Sequence, residues 1–230
     1  MNMGISILFP LVVLLSFVSI AVAAIVYFRS EREPEGLQRR FLPRFYVYAL
    51  LFVSSLIFFV GSGLLLKAVF AYAAGMTFSY RGQPIYAEIE PEKMPVREPK
   101  LERIEYRQEE RLRDLLTGAA FAAVGALSFA LHRTLRNRVE SGEEQRLSFL
   151  NKGYLTVSGV VYGGVALVLI PMSLYQLIDY ALIAYPEPQS VWQRPVPGET
   201  LSFAIAALAI WLWILPHLFR TLGSQDEVDR

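Results

Sequence analysis

Charged side chains in this sequence are gathered into short segments, and the stretches between them are long enough to cross a lipid bilayer. Met1 to Phe28, Phe45 to Leu66 and Gly153 to Ile178 carry no Asp, Glu, Lys or Arg. Leu115 to Leu131 and Thr200 to Pro216 are shorter runs of the same kind, extended by interfacial residues such as His132, Arg133, His217 and Phe219. A helix needs ~20 apolar residues to span the hydrocarbon core, so each stretch predicts a transmembrane helix. With 54% hydrophobic residues among 230, a soluble fold would leave too little polar surface to hydrate. The expectation is an all-α, polytopic transmembrane bundle of five spans with one charged extracytoplasmic loop or helix.

Met1 to Phe28 has no basic leader, its apolar run is too long, and no small-residue cleavage site precedes Arg29, so it is expected to be a retained helix rather than a signal peptide. Basic residues in short loops stay in the cytoplasm. Arg29, Arg32, Arg39, Arg40 and Arg44 precede the second span, and Arg133, Arg136, Arg138, Arg146 and Lys152 separate the third from the fourth. The predicted topology is therefore a multi-pass cell-membrane protein with its N-terminus outside and C-terminus cytoplasmic. The segment 73–114 is read as a long external loop, because long loops translocate regardless of charge. Tyr27, Tyr46, Tyr48 and Tyr154 are expected at the inner interface and Tyr72, Tyr175, Tyr180 and Trp192 at the outer, where amphipathic rings are favoured.

Two stretches align. Phe41-Leu42-Pro43-Arg44-Phe45-Tyr46 parallels Phe149-Leu150-Asn151-Lys152-Gly153-Tyr154, and the same register sets Tyr72 on Tyr180. The third and fifth spans end alike, in His132-Arg133-Thr134-Leu135 and His217-Leu218-Phe219-Arg220-Thr221-Leu222. The expected organisation is a leading helix (1–28), a first hairpin (41–135), a second hairpin (149–222) and a cytoplasmic tail (223–230). The basic turn before Phe45-Tyr46-Val47-Tyr48, followed by Ser54-Ser55-Leu56-Ile57-Phe58-Phe59-Val60-Gly61, resembles the repeating unit of an uncharacterised family of bacterial multi-helix membrane proteins. That resemblance covers spans two to five. It implies a duplicated helical hairpin and a bacterial source, and carries no activity across.

Composition removes whole classes of chemistry. The absence of cysteine excludes disulfides, thiolate metal sites and cysteine nucleophiles. A formal net charge of +1 gives no reason to expect nucleic acid as a partner. No H-E-x-x-H, G-x-S-x-G or phosphate loop is present, and no acidic residue lies midway along a span, so neither an enzyme nor a carboxylate-based pump is expected.

Three groups of residues could make functional contacts. Gly118, Ala122, Ala126 and Ala130, with Ala119 and Ala123 alongside, form a small-residue stripe, and Gly159 and Gly163 form a G-x-x-x-G; such rows let helices approach closely in lipid. Glu98 to Arg113 is predicted to be an external helix whose faces separate Glu98, Glu102, Glu105 and Glu109 from Lys100, Arg103, Arg107 and Arg111, with Leu101 and Ile104 along an apolar edge that could dock a partner. His132 and His217 lie at matching depths, as bis-imidazole haem ligation would require. Lys67 and Asp179 are expected at outer helix ends, where Lys67 reaches the headgroups and Asp179 faces water, or where the two pair with each other. Pro171 is expected to kink the fourth span.

These features favour a non-enzymatic structural or partner-recruiting component of a membrane complex, needing no cofactor, with the lipid bilayer and other subunits or a second copy as partners. A small-solute transporter or channel is the alternative, and a bis-histidine haem electron carrier a further one.

Overall fold

The computed structural model describes residues 41–86, 101–105, 108–141, 148–182 and 195–223. Its elements in order are α1 (Phe41–Ala74), α2 (Met76–Ser79), β1 (Gln83–Tyr86), β2 (Leu101–Glu105), α3 (Gln108–Val139), α4 (Phe149–Leu182) and α5 (Pro197–Gly223). Among the described residues, the helices long and apolar enough to cross a membrane are α1, α3, α4 and α5. The leading stretch Met1 to Phe28 lies outside the described residues, as does the tail after Gly223.

Local chemistry explains where these helices begin and end. Gly75 adopts φ +95°, a conformation that L side chains rarely take, and this stops α1 before the short turn of α2. Glu109 and Glu110 occupy the first turn of α3 and Arg136 and Arg138 its last, each complementing the helix dipole. In α5, Pro197 opens the helix where a missing N–H is harmless, Glu199 lies in the first turn and Arg220 in the last. α4 remains helical through Pro171. At 34 residues each, α1 and α4 are about 51 Å long, more than a ~30 Å hydrocarbon core requires.

The charged segment before α3 differs from the sequence expectation. Residues Leu101, Glu102, Arg103, Ile104 and Glu105 form β2, paired antiparallel with β1 in the register Gln83↔Glu105, Pro84↔Ile104, Ile85↔Arg103 and Tyr86↔Leu101, with an irregularity between Ile85 and Tyr86. A strand repeats every two residues, so the helical sorting of charges onto opposite faces does not apply there. Helix starts only at Gln108, bringing Arg111 and Asp114 into α3, while Glu98 and Arg107 lie outside the described residues. The expected loop 73–114 is thus helical at both ends.

Two compact units divide the chain, and each long helix contributes a segment to each. The first holds the described residues of Met1–Leu56, Gly125–Gly164 and Leu208–Arg230; the second holds those of Ile57–Val124 and Val165–Ala207. Val47, Leu51, Leu155, Val161 and Ile214 are buried in the first unit, and Phe59, Ala68, Phe203, Ala204 and Ala207 in the second.

Candidate functional site

In the second unit, α1 and α3 meet through glycine. A Cβ on Gly61 would strike the backbone nitrogen of Ala122, and one on Gly118 would lie 2.6 Å from the Leu65 nitrogen and 2.9 Å from the Gly61 carbonyl oxygen. Only hydrogen fits at these positions, so the two backbones approach as small-residue packing in lipid requires. On the opposite wall, Gly63 accommodates the ring of Phe203, which meets Phe59 edge-on at 5.7 Å.

The same unit holds an ion pair that the sequence does not reveal. Lys67 Nζ lies 3.0 Å from Asp114 Oδ2, with side chains 15% and 22% exposed, and the Tyr80 hydroxyl donates to that carboxylate oxygen at 3.1 Å. Lys67 also sits 4.5 Å from the centre of the Tyr80 ring. It therefore pairs with α3 rather than reaching for headgroups or for Asp179. Burial, then the Asp114 carboxylate, holds the Tyr80 phenol well above its ordinary range. Arg111, expected on a docking face, lies instead 3.9 Å over the Tyr72 ring.

Polar groups organise the first unit. Arg44 Nε lies 3.3 Å from Glu140 Oε1, and the Tyr48 hydroxyl donates to Glu140 Oε2 at 2.7 Å. The Tyr48 and Tyr154 rings meet at 5.8 Å, tilted by 40°, and both are buried. These two tyrosines were expected at the lipid interface. The buried carboxylate draws the Tyr48 hydroxyl inward, whereas Tyr46 stays 62% exposed. Hydroxyl pairs Ser54–Ser128 and Ser55–Tyr162, each 2.8 Å, join further helices. α4 and α5 close on Gly163, where a Cβ would lie 2.6 Å from Trp211 Nε1, and on Gly159, beside Leu218 and Ile214.

The small-residue stripe of α3 divides between two environments. Gly118 is buried and Ala122 half-buried, but Ala126 and Ala130 are exposed. A step of four residues advances ~400° around a helix, so an i+4 row drifts off its face by ~40° each time. The buried positions are instead Gly118 and Gly125, seven residues apart, followed by the half-buried Ser128. Ala119, Ala123, Ala126 and Ala130 are all exposed and keep to one face, since their spacings of four, three and four return near the same angle. α3 is the least enclosed of the four: 11% of its apolar window is buried, against 39%, 39% and 33% for α1, α4 and α5.

The two histidines share a local arrangement. His132 Nδ1 lies 2.7 Å from the Ser128 carbonyl and His217 Nδ1 2.9 Å from the Trp213 carbonyl, each four residues back in its helix. Each imidazole Nδ1–H thus donates to its own backbone, a bond that orients the ring and leaves Nε2 out of it. Among the described residues, no group of three or more His, Asp or Glu could hold a metal ion.

The four membrane-length apolar helices among the described residues, closed by glycine contacts and interhelical polar pairs, put the chain in the class of multi-pass helical membrane proteins. Comparisons with protein families, curated proteins and solved structures give no match.

Proposed function

We propose that this protein is a non-enzymatic, partner-recruiting component of the cell membrane that binds another transmembrane helix along the exposed face of α3. The observation behind this reading is the row Ala119, Ala123, Ala126 and Ala130, exposed on the least enclosed of the long helices. A lipid-facing surface gains nothing from alanine over leucine, whereas a helix interface does, because small residues let backbones and their van der Waals surfaces meet.

In this reading Met1 to Phe28 supplies a fifth span, with the N-terminus outside and the C-terminus cytoplasmic. Charge supports the orientation. Among the described residues of the first unit, Arg44, Arg133, Arg136, Arg138, Lys152 and Arg220 are basic and only Glu140 is acidic, as the cytoplasmic side requires. Two copies of an ancestral hairpin, in a protein of bacterial type, account for α1 and α4 both running 34 residues from the aligned positions Phe41 and Phe149.

The test is purification in mild detergent, with mass spectrometry of the co-purifying chains. The wild type retains a membrane partner or a second copy, and the Ala126→Leu, Ala130→Leu double variant loses it while keeping its helical content. A monomeric wild type that carries a solute across vesicles would replace this reading with transport. A Soret band in the same sample would assign His132 and His217 to haem.

A further inference from the structure

We infer that the ends of α3 and α5 in the first unit form a binding surface for the phosphate of an anionic phospholipid, with Arg133, Trp213, His217 and Arg220 as its contacts. The inference rests on α3 and α5 crossing the membrane and is independent of the partner proposed for the alanine face.

An aromatic contact sets the surface. Phe129 of α3 meets Trp213 of α5 edge-on at 5.7 Å, the Arg133 guanidinium lies 5.9 Å from the Trp213 ring, and the His217 ring lies 5.0 Å from it on the same helix. Trp213 is 43% exposed, and Arg133, His217 and Arg220 are exposed as well. Spacings of four and three residues put Trp213, His217 and Arg220 on one face of α5. One turn of α3 carries Phe129 to Arg133, whose guanidinium borders the exposed indole, and Arg220 follows about two turns beyond Trp213 on the same face of α5.

Chemistry selects the occupant. Indole rings favour the headgroup level, where an apolar ring and a polar N–H are both satisfied. Arginine matches phosphate oxygens with two parallel charge-assisted hydrogen bonds. The cationic charge exceeds what the helices themselves neutralise: each C-terminus presents roughly half a negative charge, whereas each arginine supplies a full positive one. Glu140, the one acidic side chain among the described residues of this unit, is occupied by Arg44 and Tyr48. The surface therefore complements a lipid of net negative charge rather than a zwitterionic one, as basic positions between helices on the cytoplasmic side do.

The purified full-length protein, titrated with phosphatidylglycerol in detergent, tests the inference by native mass spectrometry and thermal unfolding. Phosphatidylglycerol is expected to remain bound and to raise the melting temperature, and phosphatidylcholine to do neither. Arg133→Ala and Arg220→Ala should each weaken that binding roughly tenfold, whereas Arg138→Ala, elsewhere around α3, should leave it intact. If alanine perturbs folding, Arg133→Gln and Arg220→Gln take its place, with helical content measured in parallel. Equal binding of phosphatidylcholine, equal stabilisation by inorganic phosphate, or equal losses in all three arginine variants would each overturn the site. Extraction of the wild type by alkaline carbonate would instead remove the membrane-spanning premise.

Discussion

Arg44 of α1 and Glu140, just beyond the end of α3, form a buried ion pair at 3.3 Å, with side chains 3% and 1% exposed. Breaking such a pair from one side leaves a charge without its partner, at a cost of about 3–5 kcal/mol. Glu140→Leu is therefore expected to lower thermal stability sharply in detergent. Arg44→Met combined with Glu140→Leu is expected to recover part of the loss, since apolar replacement of both partners is often neutral but here leaves the buried Tyr48 hydroxyl without its acceptor. Additive losses in the double variant would show that each residue acts separately.

Gly61 and Gly118 tolerate no side chain, because the atoms a Cβ would meet belong to backbone. Gly61→Ala and Gly118→Ala should each destabilise by about 1–3 kcal/mol. Gly153 and Gly164 are also helical, but a Cβ there meets nothing within 4 Å. Gly153→Ala and Gly164→Ala should be neutral or stabilising by up to about 1 kcal/mol. Thermal unfolding of the four variants measures the contrast.

Tyr80 gives the protein an alkaline limb. Its folded pKa lies above its unfolded one, so its contribution is complete below the ordinary phenol value of about 10 and falls as pH rises beyond it, where only the unfolded state loses the proton. Stability profiles of wild type and Tyr80→Phe should run parallel below about pH 10. Above it the variant should decline less steeply. Asp114→Asn should narrow the pH range of that decline, because it removes the carboxylate's share of the upward shift and leaves the larger share, from burial, in place.

Hydroxyl pairs between helices contribute less than the ion pair or the glycines. Ser54→Ala removes the 2.8 Å contact with Ser128, and Tyr162→Phe the 2.8 Å contact with Ser55. Each is expected to cost about 0.6 kcal/mol and no more than about 1.7, the range found for such bonds within membranes. A larger loss at either position would mark it as more than interhelical glue.

What the sequence makes legible follows from which signals are local. Charge-free length is local, so α1, α3, α4 and α5 are all visible in it. The segment around Arg103 is not, because the spacing of Leu101 and Ile104 is helical, and only the pairing of Leu101–Glu105 with Gln83–Tyr86 overrides it. Partners distant in sequence are equally hidden: Lys67 reads as a headgroup-seeking lysine until Asp114 lies beside it, and Tyr48 as an interfacial ring until Glu140 accepts its hydroxyl. The alanines of α3 illustrate a third limit. Small residues signal close packing, but the drift of an i+4 row decides which pack inside the protein and which face outward. Gly118 and Ala126 fall on opposite sides of that division.

The docking face proposed for α3 is tested most directly by crosslinking in native membranes, for which a chain without cysteine is already suited. Single cysteines at Ala126 and Ala130, and at the exposed Val168 of α4 as a control, would be treated with a short thiol-to-amine reagent. Discrete protein adducts from Ala126→Cys and Ala130→Cys, with none from Val168→Cys, are the predicted result. Labelling without adducts at all three positions would contradict the account, because it would mean that lipid alone covers the face of α3.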